Sequence, residues 1–178
     1  AYVAALLVTP LNTPMELAFM LAPIGAGVAA LAIGWVCLRS TGVYFAMLTL
    51  AFAQLLWSLV FQWGDVNGGD DGLVNIWPSD WLNETTTYFY FTIITAVGGI
   101  VVLRHIAHSP FGYALRAARD SKRQAEVTGI DTHKVQLLAF GFAGLMGGLA
   151  GALFVFSKGS VFPNELEIAR SFDALIVV

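Results

Sequence analysis

Four stretches of this chain are as long as a bilayer is thick and almost free of charge. Segment 15–38 carries one acidic residue, Glu16; segments 44–63, 86–103 and 135–157 contain no Asp, Glu, Lys or Arg. A helix rises about 1.5 Å per residue, so roughly 20 apolar residues cross the hydrocarbon layer. Lipid offers the backbone no hydrogen-bonding partners, and a helix satisfies every backbone group within its own segment. The sequence therefore predicts an all-α, polytopic transmembrane bundle. Charged residues make up 12% of the 178, about half the share found in soluble domains, which argues against a soluble core protein.

Two partial spans are expected at 1–8 and 171–178, and the chain reads as a single membrane domain cut from a longer polypeptide. Pro10, Asn12 and Pro14 break the first connection. The lone cysteine, Cys37, excludes an intrachain disulfide. Glu16, Arg39 and Asp173 fall near span ends, where charges reach headgroups at little cost. No ionisable residue falls at a span centre, which argues against proton-coupled pumping.

Basic residues set the orientation. Loop 64–85 has no Lys or Arg but holds Asp65, Asp70, Asp71, Asp80 and Glu84. Stretch 104–134 has Arg104, Arg116, Arg119, Lys122, Arg123 and Lys134 against Asp120, Glu126 and Asp131. The basic stretch is thus expected in the cytoplasm and the acidic loop on the outer face. Trp57, Trp63, Trp77 and Trp81 suit an interfacial belt at the outer boundary.

Within the basic stretch, 109–129 reads SPFGYALRAARDSKRQAEVTG. Ser109 and Pro110 suit a helix N-cap and first position. Phe111, Leu115 and Ala118 recur on one helical face, with Arg116 and Arg119 elsewhere. Ser121 with Gln124 offers a weak capping box, and Gly129 suits the residue past a helix end. Asp131 or Thr132 would cap the next span. Two short helices along the membrane surface are expected. They serve either as a float among lipid headgroups or as an element docked in a protein groove; the small residues Ala117, Ala118 and Ala125 are compatible with the groove.

Gly144 with Gly148, and Gly147 with Gly151, are four apart, a spacing that lets membrane helices approach closely. Packing within the chain is the simpler use; a pore or subunit interface is the alternative. Gly68, Gly69, Asp70, Asp71 and Gly72 form a turn with too few oxygen ligands for calcium. His105 and His108 lack further ligands at zinc spacing. Gln54 and Thr49 are expected to hydrogen-bond between helices. Asn83 to Thr85 matches a glycosylation acceptor. No phosphate-binding G-x-x-x-x-G-K-[ST] loop is present, so the chain is not expected to hydrolyse ATP or act as an enzyme.

Taken with YFAMLTLAFAQ at 44–54 and GGDDGL at 68–73, the run SPFGYALRAARDSKRQAEVTGIDTHKVQLLAFGFAGLMGGLAGAL resembles the inner-membrane permeases of branched-chain amino acid ABC importers, the larger of two paired paralogues. Val127 departs from the alanine usual in the family's Ala-Glu-Ala-x-Gly core. The resemblance implies a coupling helix within 109–129, involving Ser109, Phe111, Leu115, Arg116, Arg119, Ala125, Glu126 and Gly129. It implies two cytoplasmic ATP-binding subunits, a paralogous second permease, a periplasmic solute-binding protein facing loop 64–85, and surrounding membrane lipid. It brings no cofactor, metal or nucleic acid. Branched-chain or other hydrophobic amino acids are the implied substrates. A urea or short-amide importer, or an ATP-independent carrier or channel, is the alternative.

Overall fold

The computed structural model describes residues 1–8, 14–62, 73–74 and 84–162. Among them are seven helices: α1 (Tyr2–Val8), α2 (Met15–Cys37), α3 (Val43–Gln62), α4 (Thr85–Ala107), α5 (Pro110–Asp120), α6 (Lys122–Val127) and α7 (Thr132–Lys158). The chain is an all-α membrane protein, and α2, α3, α4 and α7 are each long and apolar enough to span. The expected outer-loop residues Gly68 to Gly72, and the last partial span at 171–178, lie outside the described residues.

Helices α2 and α7 form the centre, antiparallel and in close contact. Their apposition rests on missing side chains. A Cβ on Gly148 would come within 2.6 Å of the Ala26 Cβ and 2.8 Å of the Pro23 Cα, and one on Gly144 would strike the Ala30 Cβ. In return, Leu145 sits over Gly27, Leu31 over Gly141 and Phe140 over Gly34. Small residues on each helix receive large ones from the other, and dispersion contacts replace the absent hydrophobic drive. Gly151 abuts Ala1, whereas Gly147 has nothing within 4 Å.

A compact core closes one end of this pair. Tyr2, Ala4 and Ala5 of α1 meet Met15, Ala18 and Ala22 of α2 and Ala152, Val155 and Phe156 of α7. Gly159, at φ +67°, ends α7 in the left-handed conformation, its N–H bonded to the Val155 oxygen at 2.8 Å. The chain then turns into strand β2 (Ser160–Val161), paired antiparallel with β1 (Leu73–Val74). Leu73 and Val161 bury their side chains in the same core.

Helices α3 and α4 sit differently: neither buries a residue among those described. The Tyr88 hydroxyl donates to the Leu153 oxygen at 2.6 Å, and Phe19 meets Phe91 edge to face. Thr49 does not bond between helices as expected. Its hydroxyl donates to the Ala46 oxygen of its own helix at 2.8 Å, as Thr92 and Thr95 do to Tyr88 and Phe91. In lipid, a donor satisfied one turn back needs no neighbour. Gln54 is exposed and has no hydrogen bond among the described residues.

Candidate functional site

At the end of the bundle away from the core, α4 gives way to the hairpin α5–α6, and α7 leads back in. Helix α4 runs to Ala107, beyond the 103 expected for this span, and α7 starts at Thr132 rather than 135. Arg104 and His105 extend the last turn, where cations favour the helix dipole.

Ser109 has the extended backbone of an N-cap (φ −82°, ψ 166°) and Pro110 follows at the first helical position. Its hydroxyl does not cap α5, however. It donates to the Ile106 oxygen at 2.7 Å, binding the junction to the end of α4. Gly112 makes the crossing possible, because a Cβ there would strike the Ala107 and Ile106 oxygens. Phe111 meets Phe142 of α7 edge to face at 5.8 Å, Leu115 is half-buried and Ala118 is buried. The opposite side of α5 is open: Arg116 lies over the exposed Tyr113 ring, and Arg119 reaches the Asp120 carboxylate at 3.1 Å.

Asp120 ends α5, and Ser121 caps α6 by accepting from the Gln124 N–H at 3.4 Å. The capping box is half made, since the Ser121 N–H donates to the Ala117 oxygen instead. Ala125 is buried. Helix α6 ends in a complete Schellman arrangement: Gly129 at φ +85° donates to the Glu126 oxygen and Ile130 to the Ala125 oxygen, each at 3.0 Å. Asp131 caps α7 by accepting from the Lys134 N–H at 3.1 Å, and the Lys134 ammonium lies 2.9 Å from the same carboxylate. These bonds to Lys134 hold the Asp131 carboxyl below its ordinary range.

One side-chain bond ties α6 to α7. Thr132, buried at the head of α7, donates to the Glu126 carboxylate at 2.9 Å. Little in the sequence points to this pair, because six residues and a Gly129 reversal separate the partners.

The eight hairpin residues singled out in the sequence thus divide into two sets. Ser109, Phe111, Leu115 and Ala125 are buried or half-buried, and the first two fasten the hairpin to α4 and α7. Arg116, Arg119, Glu126 and Gly129 are exposed. Val127, the departure from the resembled pattern, is 84% exposed. Sequence reasoning missed Gly112 as the crossing point; its place two residues after Pro110 was the available signal. It also passed over Gly27 and Gly34, whose spacing of seven puts them on one face of α2. His108 bonds through Nδ1 to the Arg104 oxygen at 2.8 Å. Among the described residues no group of three His, Cys, Asp or Glu gathers at ligating distance.

Over residues 1–178 the chain matches the family described as branched-chain amino acid transport system / permease component. It is 24% identical to the high-affinity branched-chain amino acid transport system permease protein LivM of Escherichia coli K12, over 86% of this chain and 42% of that protein. For LivM of Salmonella typhimurium LT2 the figures are 23%, 89% and 44%. The autoinducer 2 import system permease protein LsrC of Photorhabdus laumondii is 30% identical over 56% of this chain and 28% of its own length. The chain thus spans less than half the length of these relatives. No solved structure matches.

Proposed function

Because the chain belongs to the permease component family of branched-chain amino acid transport systems, we propose that it forms part of the transmembrane pathway of a bacterial ABC importer, with hairpin 109–129 as the element a cytosolic ATPase grips. The observation that carries this reading is the double anchoring of the hairpin. Phe111 against Phe142 and Glu126 against Thr132 fix it to α7, which is itself interlocked with α2. A force on the exposed side of α5 and α6 therefore moves α7 and α2 together. Helices α3 and α4 bury no residue among those described, and α4 is held to the pair by Tyr88 on Leu153 and Phe91 on Phe19. Alternating access is then a two-state equilibrium biased by the motor on one side and by a solute-binding protein on the other.

The hairpin would lie in the cytoplasm and loop 64–85 in the periplasm, in keeping with the positive-inside rule. Helical spans of this length belong to the inner membrane. The full assembly in this reading has two ATP-binding subunits, a paralogous second permease and a periplasmic receptor. Hydrolysis resides in the ATPase subunits, since this chain has no phosphate-binding loop. The cargo is a branched-chain or other hydrophobic amino acid. LsrC, whose name assigns it autoinducer 2, shares 30% identity over part of this chain; similar spans thus serve dissimilar cargo, and selectivity falls to the receptor. Urea or short amides are the nearest alternative.

Two variants test the coupling in the intact importer. Gly129→Pro forbids the φ of +85° on which the α6 turn depends, and Glu126→Lys removes the acceptor for Thr132. Substrate-stimulated ATPase activity in proteoliposomes should fall to its basal rate in both, with the complex still assembled. Unchanged stimulation in both rejects the coupling role. A cysteine at Val127 should crosslink to a nucleotide-hydrolysing subunit; repeated failure to capture one favours an ATP-independent carrier or channel.

A further inference from the structure

Beneath the hairpin lies a cleft of about 700 Å³, walled by the turn after α2, the start of α3, the hairpin and α7. Its lining is graded. Thr41 lies in the turn between α2 and α3, Lys122 opens the hairpin helix α6, and Gln136 lies in the second turn of α7, all at the hairpin end of the spans. Phe45, Phe140 and Ala143 lie further along α3 and α7; seven residues from Gln136 to Ala143 carry the wall about 10 Å inward. An occupant of this space has a polar, anion-bearing head and an apolar tail.

Charge sharpens the assignment. Arg119 is paired with Asp120 and Lys134 with Asp131. Lys122 has no ion pair or hydrogen bond among the described residues, although it borders the cleft. A cation at the hairpin end of the spans, lining one cleft with a hydroxyl and an amide, suits a phosphate. Leu115, on the inward side of α5, lines the cleft, which therefore opens away from the Arg116 and Arg119 surface assigned to the motor. The volume is several times that of an amino-acid side chain and within the range of sites that take larger ligands.

We propose that this cleft binds an anionic phospholipid, its phosphate at Lys122, Thr41 and Gln136 and its acyl chain along Phe45, Phe140 and Ala143. A lipid seated there fills the space between the interlocked pair and α3, and puts the hairpin in contact with membrane composition. The inference needs only that the hairpin lie at a membrane boundary, and holds whether or not an ATPase docks on its other side.

The test is native mass spectrometry of the full assembly released from nanodiscs of mixed phosphatidylglycerol and phosphatidylcholine. Phosphatidylglycerol should be retained in preference. Lys122→Ala should lower its retention about fivefold, the effect of one surface cation, and Lys122→Arg should restore it. Ala143→Trp, which fills the deep end, should lower retention of both lipids. Arg123→Ala is the control, because Arg123 does not line the cleft. Equal retention of the two lipids overturns the proposal, as does equal loss in the Arg123 and Lys122 variants. So does a photocrosslinker at Phe45 that captures a protein chain in place of lipid. Failure of the ATPase crosslink at Val127 leaves these readouts unaffected.

Discussion

The α2–α7 pair and the two flanking spans, α3 and α4, have similar apolar composition and opposite packing. In the pair, glycines on each helix accept Leu31, Phe140 and Leu145 from the other, and the backbones approach until no Cβ fits at Gly144 or Gly148. In α3 and α4, large side chains such as Met47, Leu55, Ile94 and Ile100 face outward. Apolarity alone therefore does not assemble helices in lipid, because a tail solvates leucine as well as another helix does. Complementary shape does assemble them. The flanking spans present exposed, mostly bulky surfaces to lipid or to other chains, while the glycine-notched spans interlock with each other.

The largest effect should come from filling a notch. Gly148→Leu should destabilise the full-length protein by roughly 3 kcal/mol or more, since Pro23 backbone stands in the way; Gly147→Leu, one residue away and open, should change stability by less than about 0.5 kcal/mol. Unfolding titrations in mixed micelles measure both, and equal losses would break the contrast. Next comes Gly112→Ala, where the obstacle is the backbone of Ile106 and Ala107. It should cost about 1–3 kcal/mol and loosen the hairpin, read as faster proteolysis within 109–129. Thr132→Val removes the hydroxyl that reaches Glu126 and should cost about 1 kcal/mol.

On the flanking spans the expectation reverses. Ile94→Ala, at a side chain 70% exposed, should leave the unfolding midpoint of the isolated subunit within about 0.5 kcal/mol of wild type; a loss as large as that at Gly148 would mean that α4 packs as tightly as α7. The smallest effect concerns Asp131. Its carboxyl titrates below the ordinary value of 3.8 because Lys134 favours the charged form. The cap is therefore intact above that value, and its contribution disappears as pH falls through the lowered one. Asp131→Asn should flatten this acid limb in pH-dependent melting of the α7 start.

Much of the hairpin was legible because local backbone chemistry writes it. Pro110 opens a helix, Ser121 caps one, Gly129 supplies a positive φ and Asp131 starts the next span, each requirement met within four residues. The spacing of Phe111, Leu115 and Ala118 likewise gave the inward face of α5. Ser109 shows the boundary of that approach: its backbone conformation followed from sequence, but its hydroxyl turned to Ile106 once α4 continued to Ala107. Thr49 fails as an expected interhelical donor for a related reason, since its own helix supplied an oxygen sooner than a neighbour did.

By itself the sequence determined the number of the described spans and their all-helical character, because bilayer thickness and the absence of water leave one solution for an uncharged run of some twenty residues. It also determined where the short surface helices begin and end. Which glycine meets which helix, that Gly144 and Gly148 are filled while Gly147 is open, and that Glu126 reaches Thr132 were decided by tertiary structure. Those outcomes depend on how far apart and at what rotation two helices settle, and a spacing of four along one helix carries no information about the side chains waiting on the other.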